Sequence, residues 1–108
     1  MTSPLSRIGF LIPGNFEEDD PYAGLDHTLH ILSRGEAMGY ASAWVRQRHL
    51  ERGISSAATF LAAATQRTKT IELGTAVIPL GYENPCRLAE DLATVDVLSH
   101  GRLNVGVS

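Results

Sequence analysis

The sequence predicts an α/β fold in which parallel strands alternate with helices, and three observations lead there. Short apolar runs compatible with strands begin near residues 8, 42, 71 and 103. Between them lie three segments whose apolar residues recur at helical spacing. Each strand-plus-helix unit takes roughly 30 residues, the length of a β-α crossover, and strands joined by such crossovers run parallel. The order β-α-β-α-β-α-β therefore calls for a parallel sheet covered by helices.

The first strand is read in the run Arg-Ile-Gly-Phe-Leu-Ile-Pro, centred on Ile8 to Ile12 and closed by Pro13-Gly14. Asp20 then stands as a helix N-cap with Pro21 at the first helical position, where the missing N–H costs nothing. Leu25, Leu29 and Leu32 give this helix one apolar stripe, and Gly39 is placed to end it in a left-handed conformation, which predicts a helix over about residues 21–38. The second strand, Tyr-Ala-Ser-Ala-Trp-Val, turns polar at once and delivers Arg46, Gln47, Arg48 and His49 to its own carboxyl end. Ser55 or Ser56 can cap the alanine-rich second helix, in which Phe60 and Leu61 supply the bulk for packing. The third strand runs from Thr70 to Pro79, whose ring cannot extend the ladder. Asn84-Pro85 repeats the cap-plus-proline start, Leu88, Leu92 and Val95 form the stripe of the third helix, and Gly101 closes it. The fourth strand alternates Leu103, Val105 and Val107 with Asn104 and Gly106.

Two architectures fit this order. A doubly wound sheet that binds a dinucleotide normally carries a Gly-rich turn after its first strand. Here Gly14 is followed by Glu17, Glu18, Asp19 and Asp20, carboxylates that would repel a pyrophosphate. A TIM (β/α)8 barrel has no such conflict, and its average of about 31 residues per unit matches the spacing, so that four strands make the N-terminal half of one. The 108 residues, 44% hydrophobic, suffice for a single domain, taken as residues 1–108. An open half-barrel leaves the edges of its first and last strands unpaired, and self-association into a homo-oligomer through those edges is expected.

The totals narrow the partners. Nine Lys and Arg against twelve Asp and Glu give a net charge of −3 with no basic block, which predicts a small-molecule partner and no nucleic acid or membrane surface. The lone Cys86 excludes an internal disulfide, and the first ten residues lack the charged and apolar regions of a secretion leader. No apolar run approaches the ~18 residues of a membrane span, and a cytoplasmic protein is expected.

From the third strand onward the residues form a specific pattern: Gly74-Thr75, Asn84-Pro85, Ala89-Glu90-Asp91, Asp96, Leu98-Ser99 and Gly101-Arg102. This resembles the bacterial luciferase-like, flavin-dependent monooxygenases. Their corresponding stretch reads Gly-Thr at a strand end, Asn or His before Pro, then A-E-D-x-x-x-x-D-x-[LM]-S-x-G-R. Upstream, the runs GEAMGYASAWV and AAATQRTKTIELGT match the family's helix-strand joints as well. The resemblance covers nearly the whole chain, but only the N-terminal part of the family's barrel. It implies an oxidoreductase acting on a small organic substrate with O2 and a reduced flavin, either FMN or, in relatives, the deazaflavin F420. It also implies a chain truncated just before the loop that helps hold the flavin phosphate. The alternative is a catalytically inactive half-barrel that binds no cofactor and self-associates as a structural or binding module.

In a barrel the active site lies at the carboxyl ends of the strands, here Pro13-Gly14-Asn15, Arg46 to His49, and Ala76 to Pro79. The resemblance implies a peptide bond, often cis and without proline, at Ala76-Val77 beneath the flavin ring, with Gly74 and Thr75 leading into it. The resemblance also implies that Ser108 stands just before the loop that helps hold the flavin phosphate. The resemblance also sets Gln47-Arg48-His49 against the family's Glu-His-His, in which the first histidine, at the Arg48 position, holds the catalytic role. His49 is then the candidate proton donor or acceptor, and Arg48 a cation able to steady an anionic flavin or substrate oxygen.

Other polar residues read as scaffold. His27 and His30 lack a third ligand, and the consecutive carboxylates Glu17 to Asp20 cannot converge on one ion, so no metal site is expected. Cys86 and Trp44 read as packing, and Glu90 and Asp91 as structural charges meeting Arg87 or Arg102.

Overall fold

The computed structural model describes residues 6–108; the first five, part of the stretch read for a leader, lie outside the described residues. The strands are β1 (Gly9–Ile12), β2 (Ser42–Val45), β3 (Glu72–Ile78) and β4 (Leu103–Val107), and the helices are α1 (Pro21–Ala37), α2 (Ala57–Arg67) and α3 (Pro85–Leu98). The sheet has the order β1-β2-β3-β4 with every pairing parallel. Four strands laid side by side in chain order, each joined to the next through a helix, are the β/α architecture of half a barrel.

Local signals set most of the helix ends. The Asp20 carboxylate accepts the Ala23 N–H at 3.0 Å, and Pro21 opens α1. The Asn84 side chain accepts the N–H groups of Cys86 and Arg87 at 2.9 and 3.2 Å, with Pro85 opening α3. Gly39 and Gly101 lie at φ +92° and +79°, just past the ends of α1 and α3, where a side chain would be strained. The start of α2 departs from expectation. Ser56 is its N-cap residue, yet its hydroxyl donates to Thr59 Oγ1 at 2.8 Å and caps nothing; the Ala57 N–H is taken at 3.0 Å by Gln47 Oε1, from the end of β2. A residue already buried beside the helix start replaces the local cap.

The helices cover one face of the sheet. Ala43, Val45 and Leu73 point into that side and pack with Leu32, Leu61 and Val95 of the three helices. The opposite face carries the register row Leu11, Trp44, Gly74 and Asn104. There the Trp44 indole lies against Gly74 so closely that a Cβ would collide with the ring, and its Nε1 donates to Ser42 Oγ at 3.0 Å.

The amino ends of the strands are sealed by two charged side chains. Arg102 is only 9% exposed, and its guanidinium donates to the carbonyls of Thr65, Thr68, Ile71 and Ser99 and to the Thr68 hydroxyl, at 2.6 to 3.3 Å. One planar fork thereby satisfies carbonyls where α2 and α3 both end, at the negative pole of each helix. Of the two arginines expected to meet the acids of α3, Arg87 meets Glu90 and Asp91, and Arg102 turns inward. Ser99 and Asp96 complete the knot, the first accepting the Arg102 N–H through its hydroxyl at 2.9 Å and the second accepting the Leu103 N–H at 3.3 Å. On the other flank Glu36, near the end of α1, accepts the N–H groups of Lys69, Thr70 and Ile71 at 2.7, 2.6 and 2.9 Å. Burial pushes this carboxyl upward, but the hydrogen bonds from Thr70, Ile71 and Lys69 outweigh it and hold it below the ordinary glutamate value.

Candidate functional site

Because all four strands run the same way, the loops that follow them gather at one end of the sheet. Leaving β1, the chain passes Pro13, Gly14 and Asn15; leaving β2, it passes Arg46 to His49. After β3 it makes a 3-10 turn over Leu80–Tyr82, where the sequence predicts only a loop, and this turn lifts Tyr82 and Glu83 to the same end.

The loops after β2 and β3 meet through Gln47, which is 4% exposed. Its Nε2 lies 2.8 Å from Glu83 Oε1 and 3.1 Å from His49 Nε2. The His49 ring stacks on Tyr82 with centroids 4.1 Å apart and planes 18° from parallel. A half-buried imidazole is thus fixed in plane by a tyrosine and on one edge by an amide. Such a group can exchange a proton or a hydrogen bond with a ligand at the mouth. The sequence singled out His49 but missed Gln47, Tyr82 and Glu83 as its supports. The one available signal was the polar turn Gly81-Tyr82-Glu83-Asn84, which carries no mark of where it folds back.

Arg48 does not join this cluster. It is exposed, with its guanidinium 3.8 Å from Glu51 on its own loop and its backbone N–H bonded to the Ile54 carbonyl at 3.0 Å. With Arg46 and Arg52 it lines a cleft of about 170 Å³ that also includes Pro13 and Asn15. Arg46 reaches Asn15 Oδ1 at 3.5 Å, and Arg52 pairs with Glu18 at 2.8 Å, so the cleft edge is cationic and partly neutralised by acids.

The residues expected at the cofactor stand along β3 and its neighbour. The Ala76–Val77 peptide is cis. Ala76 is half-buried and Val77 is 40% exposed, which leaves an apolar surface at the carboxyl end of the central strand. Thr75 is fully buried; its hydroxyl donates to the Gly106 carbonyl at 3.0 Å and accepts the Gly106 N–H at 2.9 Å, holding β3 to β4 where the register shifts. Gly74 lies beneath Trp44. Ser108 accepts the Leu80 N–H at 3.0 Å and donates its own N–H to Ile78 at 3.1 Å, anchoring the turn after β3.

A parallel β/α sheet with its loops gathered over an apolar strand end is a general ligand-binding design, and the comparison with known proteins decides its family. The model of the luciferase-like monooxygenase family matches residues 6–108. The chain belongs to that family. Limonene 1,2-monooxygenase of Rhodococcus erythropolis is 32% identical over 112 residues, which cover 98% of this chain and 29% of that enzyme. An F420-dependent glucose-6-phosphate dehydrogenase of Amycolatopsis mediterranei is 35% identical over 80 residues, covering 68% of this chain and 24% of that protein. Among solved structures, the oxygenating constituent of 3,6-diketocamphane monooxygenase from Pseudomonas putida, in complex with FMN, superposes with a TM-score of 0.86 at 18% identity, over 94% of this chain and 29% of that one. This luciferase-like chain therefore spans under a third of the length of these proteins. Among its described residues no helix is long and apolar enough to cross a membrane.

Proposed function

We propose that the carboxyl end of this sheet holds the ring of a reduced flavin and a small organic substrate, in an oxidoreductase of the monooxygenase type. The observation that carries the reading is the presence, at one end of the sheet, of an apolar platform at Ala76–Val77 and a supported imidazole at His49. The residues present fit a flat conjugated ring: Val77 is 40% exposed at the platform, and the adjoining turn exposes Leu80 and Tyr82 as further apolar surface. When bound, the flavin, FMN or F420, supplies the electrons, to O2 in a monooxygenase or as a hydride in an F420 enzyme.

The chain's own residues orient and exclude water. Ala76 and Val77 would lie under the ring, with Gly74 and Thr75 keeping the strand in place behind them. Ser108, tied to the end of β3 at Ile78 and to the start of the turn at Leu80, would position the chain toward the cofactor phosphate. His49 holds or moves a proton at a substrate or cofactor oxygen, and Arg48, in the cleft at the mouth, balances negative charge there. We place the protein in the cytoplasm, in keeping with its single exposed cysteine.

Titration of the purified chain with reduced and with oxidised FMN, and separately with F420, followed by fluorescence, tests the proposal. Saturable quenching by one of them is expected. Unchanged fluorescence at high micromolar chain would end it and favour a second reading, a catalytically silent module that associates with copies of itself. One observation speaks for that alternative: β1 and β4 have no strand partner on their outer edges among the described residues, and Ile8, Leu11, Val105 and Val107 are about half exposed there. Light scattering that gives a monomer at all concentrations would remove it.

A further inference from the structure

The surroundings of Gln47 fix more than its position. Its Oε1 faces the Ala57 N–H at 3.0 Å, a group that can only donate. Its Nε2 faces the Glu83 carboxylate at 2.8 Å, a group that, when ionised, can only accept. The reversed amide would set N–H against N–H and oxygen against carboxylate, so these two partners determine which end is nitrogen. That nitrogen carries two hydrogens and offers no lone pair. One hydrogen goes to Glu83; the other points to His49 Nε2 at 3.1 Å. A ring nitrogen that receives a hydrogen bond presents its lone pair, and a neutral imidazole then carries its proton on the other nitrogen.

We infer that Gln47 is a positioning residue that locks neutral His49 in the tautomer protonated at Nδ1, so that the histidine meets a ligand as a hydrogen-bond donor through Nδ1–H and its Nε2 is withheld from base chemistry. The stack on Tyr82 keeps the ring in the plane that this contact requires. Among the described residues nothing hydrogen-bonds to His49 Nδ1, so that N–H is not taken up within the chain. The consequence for chemistry rests on the proposed flavin site, but the tautomer does not.

Side-chain nitrogen NMR of the isotope-labelled chain, at a pH where imidazoles are neutral and without any flavin, reads the tautomer directly. His27, His30 and His100 are exposed and serve as internal references; loss of one signal set in His49→Asn assigns the fourth. His49 is expected to show a protonated Nδ1 and an unprotonated Nε2, the reverse of the Nε2–H form that exposed histidines favour. Gln47→Glu, which replaces the donor by an acceptor, should move the proton to Nε2, and Gln47→Leu should return His49 to the pattern of the three references. A protonated Nε2 in the unaltered chain, a mixture equal to the references, or a His49 spectrum unmoved by Gln47→Leu would each overturn the assignment. Should the variants not fold, the spectrum of the unaltered chain decides by itself. Failure of the flavin titration alongside the expected tautomer would sink the flavin site and leave this inference standing.

Discussion

The two ends of the sheet handle their polar groups differently. At the amino ends, Arg102 and Glu36 are turned inward onto backbone groups of segments far away in sequence, and each closes several otherwise open hydrogen-bonding groups at once. At the carboxyl ends, Arg46, Arg48 and Arg52 each reach one neighbour through the guanidinium, and His49 is held half-buried between the Tyr82 ring and the Gln47 amide. A barrel fold keeps stability and chemistry at opposite ends of its strands, and the site proposed for this four-strand sheet follows that division. Substitutions should therefore divide by end, the lower set unfolding the chain and the upper set leaving it folded but altered in binding.

The largest effect is expected at Arg102. Its replacement by Ala leaves carbonyls from four residues without their shared donor in a buried site, a loss of roughly 3–5 kcal/mol in urea or thermal unfolding. A variant within 1 kcal/mol, by the same ~1 kcal/mol yardstick for ordinary mutations, would remove the proposed knot. Glu36→Gln comes next, at about 1–3 kcal/mol, because three backbone N–H groups lose a charged acceptor. Since the carboxyl is held below its ordinary value, the stability it confers is complete above the range in which unfolded glutamates titrate and is lost as pH falls through the lower folded value. The gap between the unaltered chain and Glu36→Gln should accordingly close in acid, and a gap that widens in acid would contradict the sign.

The carboxyl end sharpens the contrast from below. His49→Asn removes a stack on an exposed tyrosine and one amide contact, so its unfolding free energy should change by no more than about 1 kcal/mol, while flavin or substrate binding weakens measurably. Arg46→Ala, at the cleft beside Asn15, should change stability by less than ~0.5 kcal/mol. A collapse of the fold in either variant would erase the distinction between the ends.

What the sequence made legible follows from the range of each interaction. The caps at Asp20 and Asn84 and the turns at Gly39 and Gly101 act within a few residues, and all four appear where local pattern put them. The parallel topology was legible for the same reason, since crossover length alone decides it. Gln47 caps a helix 10 residues on, Glu36 binds backbone 33 to 35 residues on, and Arg102 reaches back 37 residues, and no periodicity encodes such partners. The luciferase-like pattern around Ser99, Gly101 and Arg102 was visible as a string, but only the fold shows that it knots the scaffold. Likewise the gathering of the loops at one end of the sheet was readable, because parallel strands place their ends together, whereas the stack of His49 on Tyr82 depends on a 3-10 turn with no strong local signal.

The most direct test of the division between the ends is a map of backbone amide shifts on adding reduced FMN to the labelled chain. The account predicts that the amides of Asn15, Arg48, His49, Val77 and Tyr82 move together and saturate at one concentration, while those of Glu36, Thr70 and Arg102 stay in place. Shifts centred on the Glu36 and Arg102 end, or spread evenly over both, would contradict it.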